Sequence, residues 1–316
     1  MVKKRRVLVT GANGFIGTII CKQLVLEGYS VVAATRKSEV SLPDCRMVVV
    51  GSVGAETDWS EALIGVSAVI HLVGVAHTSC ADAVDKTNYY HSVNALGTLN
   101  LAEQCEQAGV KNFVFMSSIK VNGEKTVGVE DCMTASRSPA PENQYGISKY
   151  EAEKLLITVG GMSRVILRPP LVFGPGQKGN LDLLCRALLK RIPLPLRNIE
   201  NKRSLIYVEN LGGAAIASLG REGEKCEIFT IADASISTTE LVVNLARNLR
   251  VSAILFYIPK PLLKLASGFV RRRHLADRLL DSLLVDSEDA RRTLKWSPKF
   301  SFDEGLRKTS QWYRDD

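Results

Sequence analysis

Residues 6–17 read Arg6-Val7-Leu8-Val9-Thr10-Gly11-Ala12-Asn13-Gly14-Phe15-Ile16-Gly17. A short apolar, strand-like run ends in Gly11-x-x-Gly14-x-x-Gly17. The stretch from Gly14 to Glu27 is helical in character and stops at Gly28, where a helix-ending glycine is expected. A tight turn of this kind lets backbone N–H groups approach a pyrophosphate at the positive end of the helix. A glycine triplet alone would mean little. At the first strand–helix junction of an alternating chain it points to dinucleotide binding, with a ligand-free glycine turn as the competing reading. The cofactor-binding set predicted here is Gly11, Asn13, Gly14, Phe15, Ile16 and Gly17, with Asn13 stabilising the turn; Leu72 joins it from the fourth strand.

Outward from that turn, strand-like runs recur at Ser30 to Ala34, Met47 to Val50, Ala68 to Leu72, Asn112 to Ser117 and Arg164 to Arg168. Helical segments lie between them at Ser60 to Leu63, Asn94 to Ala108 and Gln144 to Thr158. This is the rhythm of an α/β protein with a parallel, doubly wound sheet, and continuously apolar strands fit burial on both faces. Pro169-Pro170 and Gly174-Pro175-Gly176 break the pattern, followed by a helix near Leu181 to Lys190 and shorter elements. Residues 1–168 are therefore expected to form the dinucleotide domain. Residues 169–316 are expected to be mainly a smaller substrate-binding lobe that partly returns to the sheet.

At 316 residues, 46% hydrophobic and 23% charged, the composition is that of a globular chain with a sizeable core. Lys3-Lys4-Arg5-Arg6 passes straight into a short strand with no apolar run of membrane-spanning length, so a cytoplasmic location is expected. Seven scattered cysteines without a Cys-x-x-Cys pair suggest reduced thiols and no zinc site. The net charge of +8, from 41 basic and 33 acidic residues spread along the chain, is explained by a phosphorylated substrate as well as by nucleic acid. Arg271-Arg272-Arg273-His274, after the apolar-rich Pro261 to Val270, reads as the solvated end of a packed helix, with peripheral contact to an anionic membrane as the alternative. His71 and His77 lack a carboxylate or cysteine cluster beside them, so no metal is expected.

Tyr145 and Lys149 are four residues apart and share a helix face. An ammonium there is expected to favour the phenolate and lower a pKa that is ordinarily about 10, making Tyr145 an acid and base near neutral pH. At the end of the second strand, an acidic residue would accept hydrogen bonds from the adenosine ribose of NAD. The chain has Thr35-Arg36-Lys37 instead, and a guanidinium at Arg36 suits the additional phosphate of NADP, which is preferred over NAD. Ser52 likewise stands where a carboxylate could bind adenine.

Six motifs occur in order. They are the glycine turn, His71-Leu72-Val73-Gly74, Val93-Asn94-Ala95-Leu96-Gly97-Thr98, Phe115-Met116-Ser117-Ser118, Tyr145-x-x-x-Lys149, and Arg168-Pro169-Pro170-Leu171-Val172-Phe173-Gly174-Pro175-Gly176. Over essentially its whole length the chain resembles an extended short-chain dehydrogenase/reductase of the nucleotide-sugar epimerase/dehydratase type, a Rossmann-type fold. The resemblance implies that Ser118 orients the reacting sugar oxygen, Tyr145 donates or accepts the proton, and Lys149 contacts the nicotinamide ribose. It also implies that Asn180 meets the nucleotide, that Arg203 clamps the diphosphate of a UDP-sugar, and that the helices Asn94 to Ala108 and Gln144 to Thr158 offer a homodimer interface. These roles make physical sense: reduction of a carbonyl builds negative charge on oxygen, which a tyrosine proton and a serine hydrogen bond quench while the cofactor carries the hydride.

Where many sugar epimerases have Val-Tyr-Gly, this chain has Lys120-Val121-Asn122-Gly123. That segment resembles a bacterial subgroup of 4-epimerases and 4-keto-6-deoxy-sugar reductases, the latter implying UDP-N-acetylquinovosamine for surface polysaccharides. No Glu occupies the place beside Ser118 or before Tyr145 that 4,6-dehydratases use, which disfavours dehydration. The expected activity is NAD(P)H-dependent reduction of a UDP-4-keto-6-deoxy-N-acetylhexosamine, favoured by Arg36. A UDP-sugar 4-epimerase is the alternative, and a non-catalytic dinucleotide sensor the remote one, since it would be expected to lose Tyr145 or Lys149.

Overall fold

Val7, Leu8 and Val9 are apolar toward both sides of the strand they form, which suits β1 (Arg6–Thr10) to the middle of a sheet. The computed structural model describes residues 5–37, 41–75, 86–128, 130–259, 262 and 279–315. From β1 the chain continues through α1 (Phe15–Leu26), β2 (Ser30–Thr35), β3 (Cys45–Val49), α2 (Ser60–Leu63) and β4 (Ala68–His71). Next come α3 (Lys86–Tyr90), a π-helix (His91–Leu96), α4 (Gly97–Gln107), β5 (Asn112–Met116), a 3-10 turn (Ile119–Val121), α5 (Gln144–Thr158) and β6 (Ser163–Arg168). The second half adds β7 (Leu171–Phe173), α6 (Asn180–Leu189), β8 (Arg203–Tyr207), α7 (Val208–Ser218), β9 (Cys226–Thr230), β10 (Ala234–Ile236) and α8 (Thr238–Leu249). It then forms α9 (Glu288–Leu294) and α10 (Phe302–Asp315).

Seven strands make one parallel sheet in the order β3-β2-β1-β4-β5-β6-β9. The doubly wound α/β fold expected from the sequence is present, and its order reverses direction between β1 and β4, where ligands of such sheets bind. Alternate strand residues face opposite layers, following the two-residue period of a pleated strand. Val7, Val9, Val31 and Ala33 pack on Ile20, Leu24, Leu211 and Ala214 of α1 and α7. Leu8, Val32, Phe113 and Phe115 pack on Leu101, Ala102, Ala152 and Leu156 of α4 and α5. A second, three-stranded sheet (β10-β8-β7) builds its own core, with Phe173, Leu205 and Tyr207 against α6, α8 and α10. α8 starts with a capping box in which the Ser237 and Glu240 side chains serve each other's backbone N–H.

Two details depart from expectation. β3 is an edge strand with Arg46 and Val49 exposed, so it is not continuously buried. The helix expected at Asn94 to Ala108 begins earlier, at Lys86, and passes through π geometry before α4, a distortion that often accompanies functional sites. His77, Cys80 and the basic run Arg271 to His274 lie outside the described residues. Among the described residues no helix is long and apolar enough to cross a membrane.

Candidate active site

Gly11 has φ +63°, and a Cβ there would lie 3.4 Å from the Val73 backbone nitrogen and 3.5 Å from the Leu72 carbonyl carbon. A side chain would find room in ordinary contact with the end of β4, so it is the left-handed backbone that calls for glycine here. The Gly14 N–H donates to the Gly11 carbonyl at 2.9 Å. A Cβ on Gly17 would overlap that carbonyl oxygen and sit 2.8 Å from Ala12, so α1 reaches the turn only with glycine there. The turn opens on a cleft of about 760 Å³ whose lining includes Gly11, Asn13, Gly14, Arg36 and Leu72. Five of the predicted cofactor residues therefore meet in one concavity of a size that suits a dinucleotide. Phe15 and Ile16 point their side chains the other way, onto the core of the second sheet, which leaves their backbone N–H groups as what they can offer at the helix start.

Arg36 is exposed at the mouth of this cleft. Ser52 lines it, and so do Glu56 and Asp58 a few residues on, which bring carboxylates that the strand-end reading did not reach. Beneath the cleft, His71 is fully buried between Thr10 Oγ1 (2.7 Å from Nδ1) and Thr98 Oγ1 (3.1 Å from Nε2) and stacks on Phe115. Burial, and secondarily the nearby Lys149, push its pKa down to about 3, so the ring is neutral. Among the described residues no group of three His, Cys, Asp or Glu side chains is placed to hold a metal ion.

α5 brings the Tyr–Lys pair to the far end of the cleft. Its N-cap, Asn143, accepts a hydrogen bond from the Gly146 N–H at 2.9 Å. A Cβ on Gly146 would stand 2.7 Å from the Lys120 carbonyl oxygen, so glycine lets the first turn of α5 press against the 3-10 turn after Ser118. Tyr145 is thereby hydrogen-bonded to Ser118, whose Oγ also accepts from the Lys120 N–H at 3.3 Å. The Lys120 ammonium lies 5.8 Å from the Tyr145 ring centroid and pairs with Glu124 at 3.1 Å. Lys149 is 2% exposed, and its Nζ donates to the carbonyls of Met116 at 3.0 Å and Val73 at 3.5 Å. A Cβ on Gly74 would lie 2.8 Å from that Nζ, so Lys149 adjoins the wall of the dinucleotide cleft.

The expected lowering of the Tyr145 pKa is not found. Desolvation pushes the phenol up to about 12, with the Ser118 hydrogen bond opposing it. Lys149 does not offset this because its ammonium is drawn to backbone carbonyls and is itself buried, which pulls its pKa down to about 7 against a smaller raising effect of Glu153. Asn94 is buried in the π-helix, a functional position that the motif Val93 to Thr98 does not reveal by itself. Its Oδ1 accepts from the Val75 N–H at 2.7 Å, and its Nδ2 donates to Ser148 Oγ at 2.9 Å, tying the cleft wall to α5. A polar residue in a buried helical position was the available signal. Asn180 is exposed at the start of α6, and Arg203 starts β8 with its Nη1 donating to the Asp281 carbonyl at 2.9 Å. Neither lines the dinucleotide cleft.

The sequence pattern of the NAD dependent epimerase/dehydratase family matches residues 7–232. The chain belongs to that family. Within this epimerase/dehydratase family it is 36% identical over 97% of its length to a UDP-glucose 4-epimerase of Vibrio cholerae, covering 95% of that protein. It is 26% identical over 81% of its length to an N-acetyl-α-D-glucosaminyl-diphospho-undecaprenol 4-epimerase of Escherichia coli O157:H7, covering 76% of it. The structure resembles MoeE5 in complex with UDP-glucose and NAD, with a TM-score of 0.77, 25% identity and coverage of 98% and 99% of the two chains. The glycine cradle and the cleft leading to Lys149 fit the nicotinamide dinucleotide that the family name implies.

Proposed function

We propose that this NAD-dependent nucleotide-sugar enzyme is a UDP-hexose 4-epimerase, with Ser118, Tyr145 and Lys149 as its catalytic group. The observation that carries the reading is the meeting of these three side chains at the end of the dinucleotide cleft. The choice of 4-epimerisation within the family rests on the Vibrio cholerae relative. A bound dinucleotide supplies two-electron chemistry at the sugar C4. Tyr145, protonated in the free protein, would take the proton of the C4 hydroxyl as its phenolate, a form that the cationic nicotinamide ring of bound NAD would favour. It would return that proton to the same oxygen, held by a Ser118 hydrogen bond, when C4 is reduced on its opposite face. Lys149 presents its ammonium toward the nicotinamide ribose. Gly11, Asn13, Gly14 and Gly17, with the N–H groups of Phe15 and Ile16, seat the pyrophosphate beside Leu72. Asn180 and Arg203 serve the nucleotide and diphosphate of the UDP-sugar, bound by the lobe after Arg168.

Arg36 favours a second reading. With no carboxylate in Thr35-Arg36-Lys37, the guanidinium suits the extra phosphate of NADPH, and an exchangeable reductant fits net reduction of a UDP-4-keto-6-deoxy-N-acetylhexosamine. Incubation with UDP-glucose or UDP-N-acetylglucosamine without added reductant is expected to give a mixture of 4-epimers. Stoichiometric loss of NADPH or NADH with the 4-keto-6-deoxy sugar, and no epimer in the first assay, would replace the epimerase with the reductase.

A further inference from the structure

Beneath the Tyr145–Lys149 pair lies a buried charge network to which the mechanism above gives no part. Tyr145, Lys149 and Glu153 follow one another at four-residue steps, so all three share the inner face of α5. Glu153 is 1% exposed and Arg168, at the end of β6, 2%. Arg168 grips the carboxylate with two donors, Nη2 to Oε2 at 2.5 Å and Nε to Oε1 at 2.9 Å. Its remaining arm donates to Asn122 Oδ1 at 3.1 Å, and Asn122 in turn donates to the carbonyls of Thr134 at 3.2 Å and Arg137 at 3.1 Å. The Ser117 hydroxyl donates to the same carboxylate, one residue before Ser118. The network thus joins α5, β6, the end of β5 and the turn that carries Lys120.

A buried ion pair seldom adds net stability over an apolar pair of the same volume, because desolvating both charges offsets their attraction. Its placement here suggests a different use. We propose that Glu153 is a positioning residue for the catalytic group: held by Arg168 and Ser117, its carboxylate supplies the buried negative charge facing the Lys149 ammonium and fixes the strand end that carries Ser118. The other groups around Lys149 do not supply that charge. From β4 it meets the neutral ring of His71 and, just past that strand, the Val73 carbonyl, and from β5 the Met116 carbonyl and the face of the Phe115 ring. From its own helix it meets the protonated Tyr145 one turn earlier, while the cation of Arg168 sits on the carboxylate of Glu153. Burial pulls the Lys149 pKa toward 7, and Glu153 is the group that opposes it.

The inference rests on reading Lys149 as catalytic, and its test is separable from that reading. In protein labelled with 13C at lysine Cε, the Lys149 signal, assigned with Lys149→Arg, is titrated by NMR without substrate or cofactor. Glu153→Gln is expected to move the midpoint down by about one unit, as loss of an adjacent opposite charge does. Glu153→Asp, which shortens the side chain but keeps the charge, is expected to restore it. A purely structural role predicts the reverse order, since Gln preserves the shape and Asp does not. Should Glu153→Gln unfold, the neutral pair E153Q/R168Q leaves no unpaired buried charge and is expected to give a smaller downward move, because the more distant Arg168 cation is removed with the carboxylate. An unchanged midpoint in the Gln variants overturns the proposal. Retained turnover in Tyr145→Phe would overturn the catalytic reading instead and leave the titration result standing.

Discussion

Lys149 is almost wholly enclosed, and its ammonium is satisfied by two backbone carbonyls. Its folded pKa of about 7 lies below the ordinary 10.5, so between those values the unfolded chain binds the extra proton and stability rises with pH. Lys149→Met removes that dependence. The variant is expected to be more stable than the parent by about 2 kcal/mol below pH 7, with the difference shrinking as pH approaches 10.5. Urea unfolding across that range checks it, and turnover should be lost throughout. Tyr145, held protonated at neutral pH in the free protein, makes a second prediction. Tyr145→Phe is expected to lower kcat by about 10³-fold, within the span usual for loss of a general acid–base, while leaving dinucleotide binding intact by calorimetry. At the mouth of the cleft, Arg36→Ala is expected to weaken NADPH binding about tenfold and to leave NADH unaffected; equal losses for both would remove the case for a phosphate partner.

Among the elements, the π-helix carries the contact with most at stake. Asn94→Leu would strip the Val75 N–H, the Val75 carbonyl and Ser148 of a buried partner. A cost of about 2–3 kcal/mol is expected in thermal or urea unfolding, together with weaker dinucleotide binding as the cleft wall loosens. This element also marks where the sequence ceased to be readable. The glycine turn, the Tyr–Lys step and most strand limits are local patterns, and they survive folding with shifts of a residue or two at their ends. The π geometry is a departure from helical period imposed by packing, which apolar spacing does not encode. Glu153 and Arg168 lie fifteen residues apart on different elements, and the packing of α5 against β6 brings them together. The fall in the Lys149 pKa and the rise in that of Tyr145 come from desolvation, a property of the closed interior and not of a four-residue spacing.

Across the whole molecule, the chain past Arg168 is woven into the first sheet. β9 pairs with β6 over Arg164 to Arg168, and all six residues of β6 are buried. α7 packs against α1, with Gln23 donating to the Glu209 carbonyl at 2.9 Å, and Trp296 donates to the Asn210 carbonyl at 3.1 Å. A fragment ending at Arg168 would therefore bare one edge of β6 and one face of α1. It is expected to lack the near-ultraviolet dichroism of a packed core, whereas the full chain should unfold in a single transition, by the same signal, as one cooperative unit. The six π residues, His91 to Leu96, also bear on how such a chain can change over generations. A π turn holds one residue more than the α turn it replaces, so loss of one residue there would restore regular helix while the helix on either side keeps its facing. What would be lost is the widened turn itself, which sets Ser92 and Val93 along the cleft and Asn94 against Val75 and Ser148.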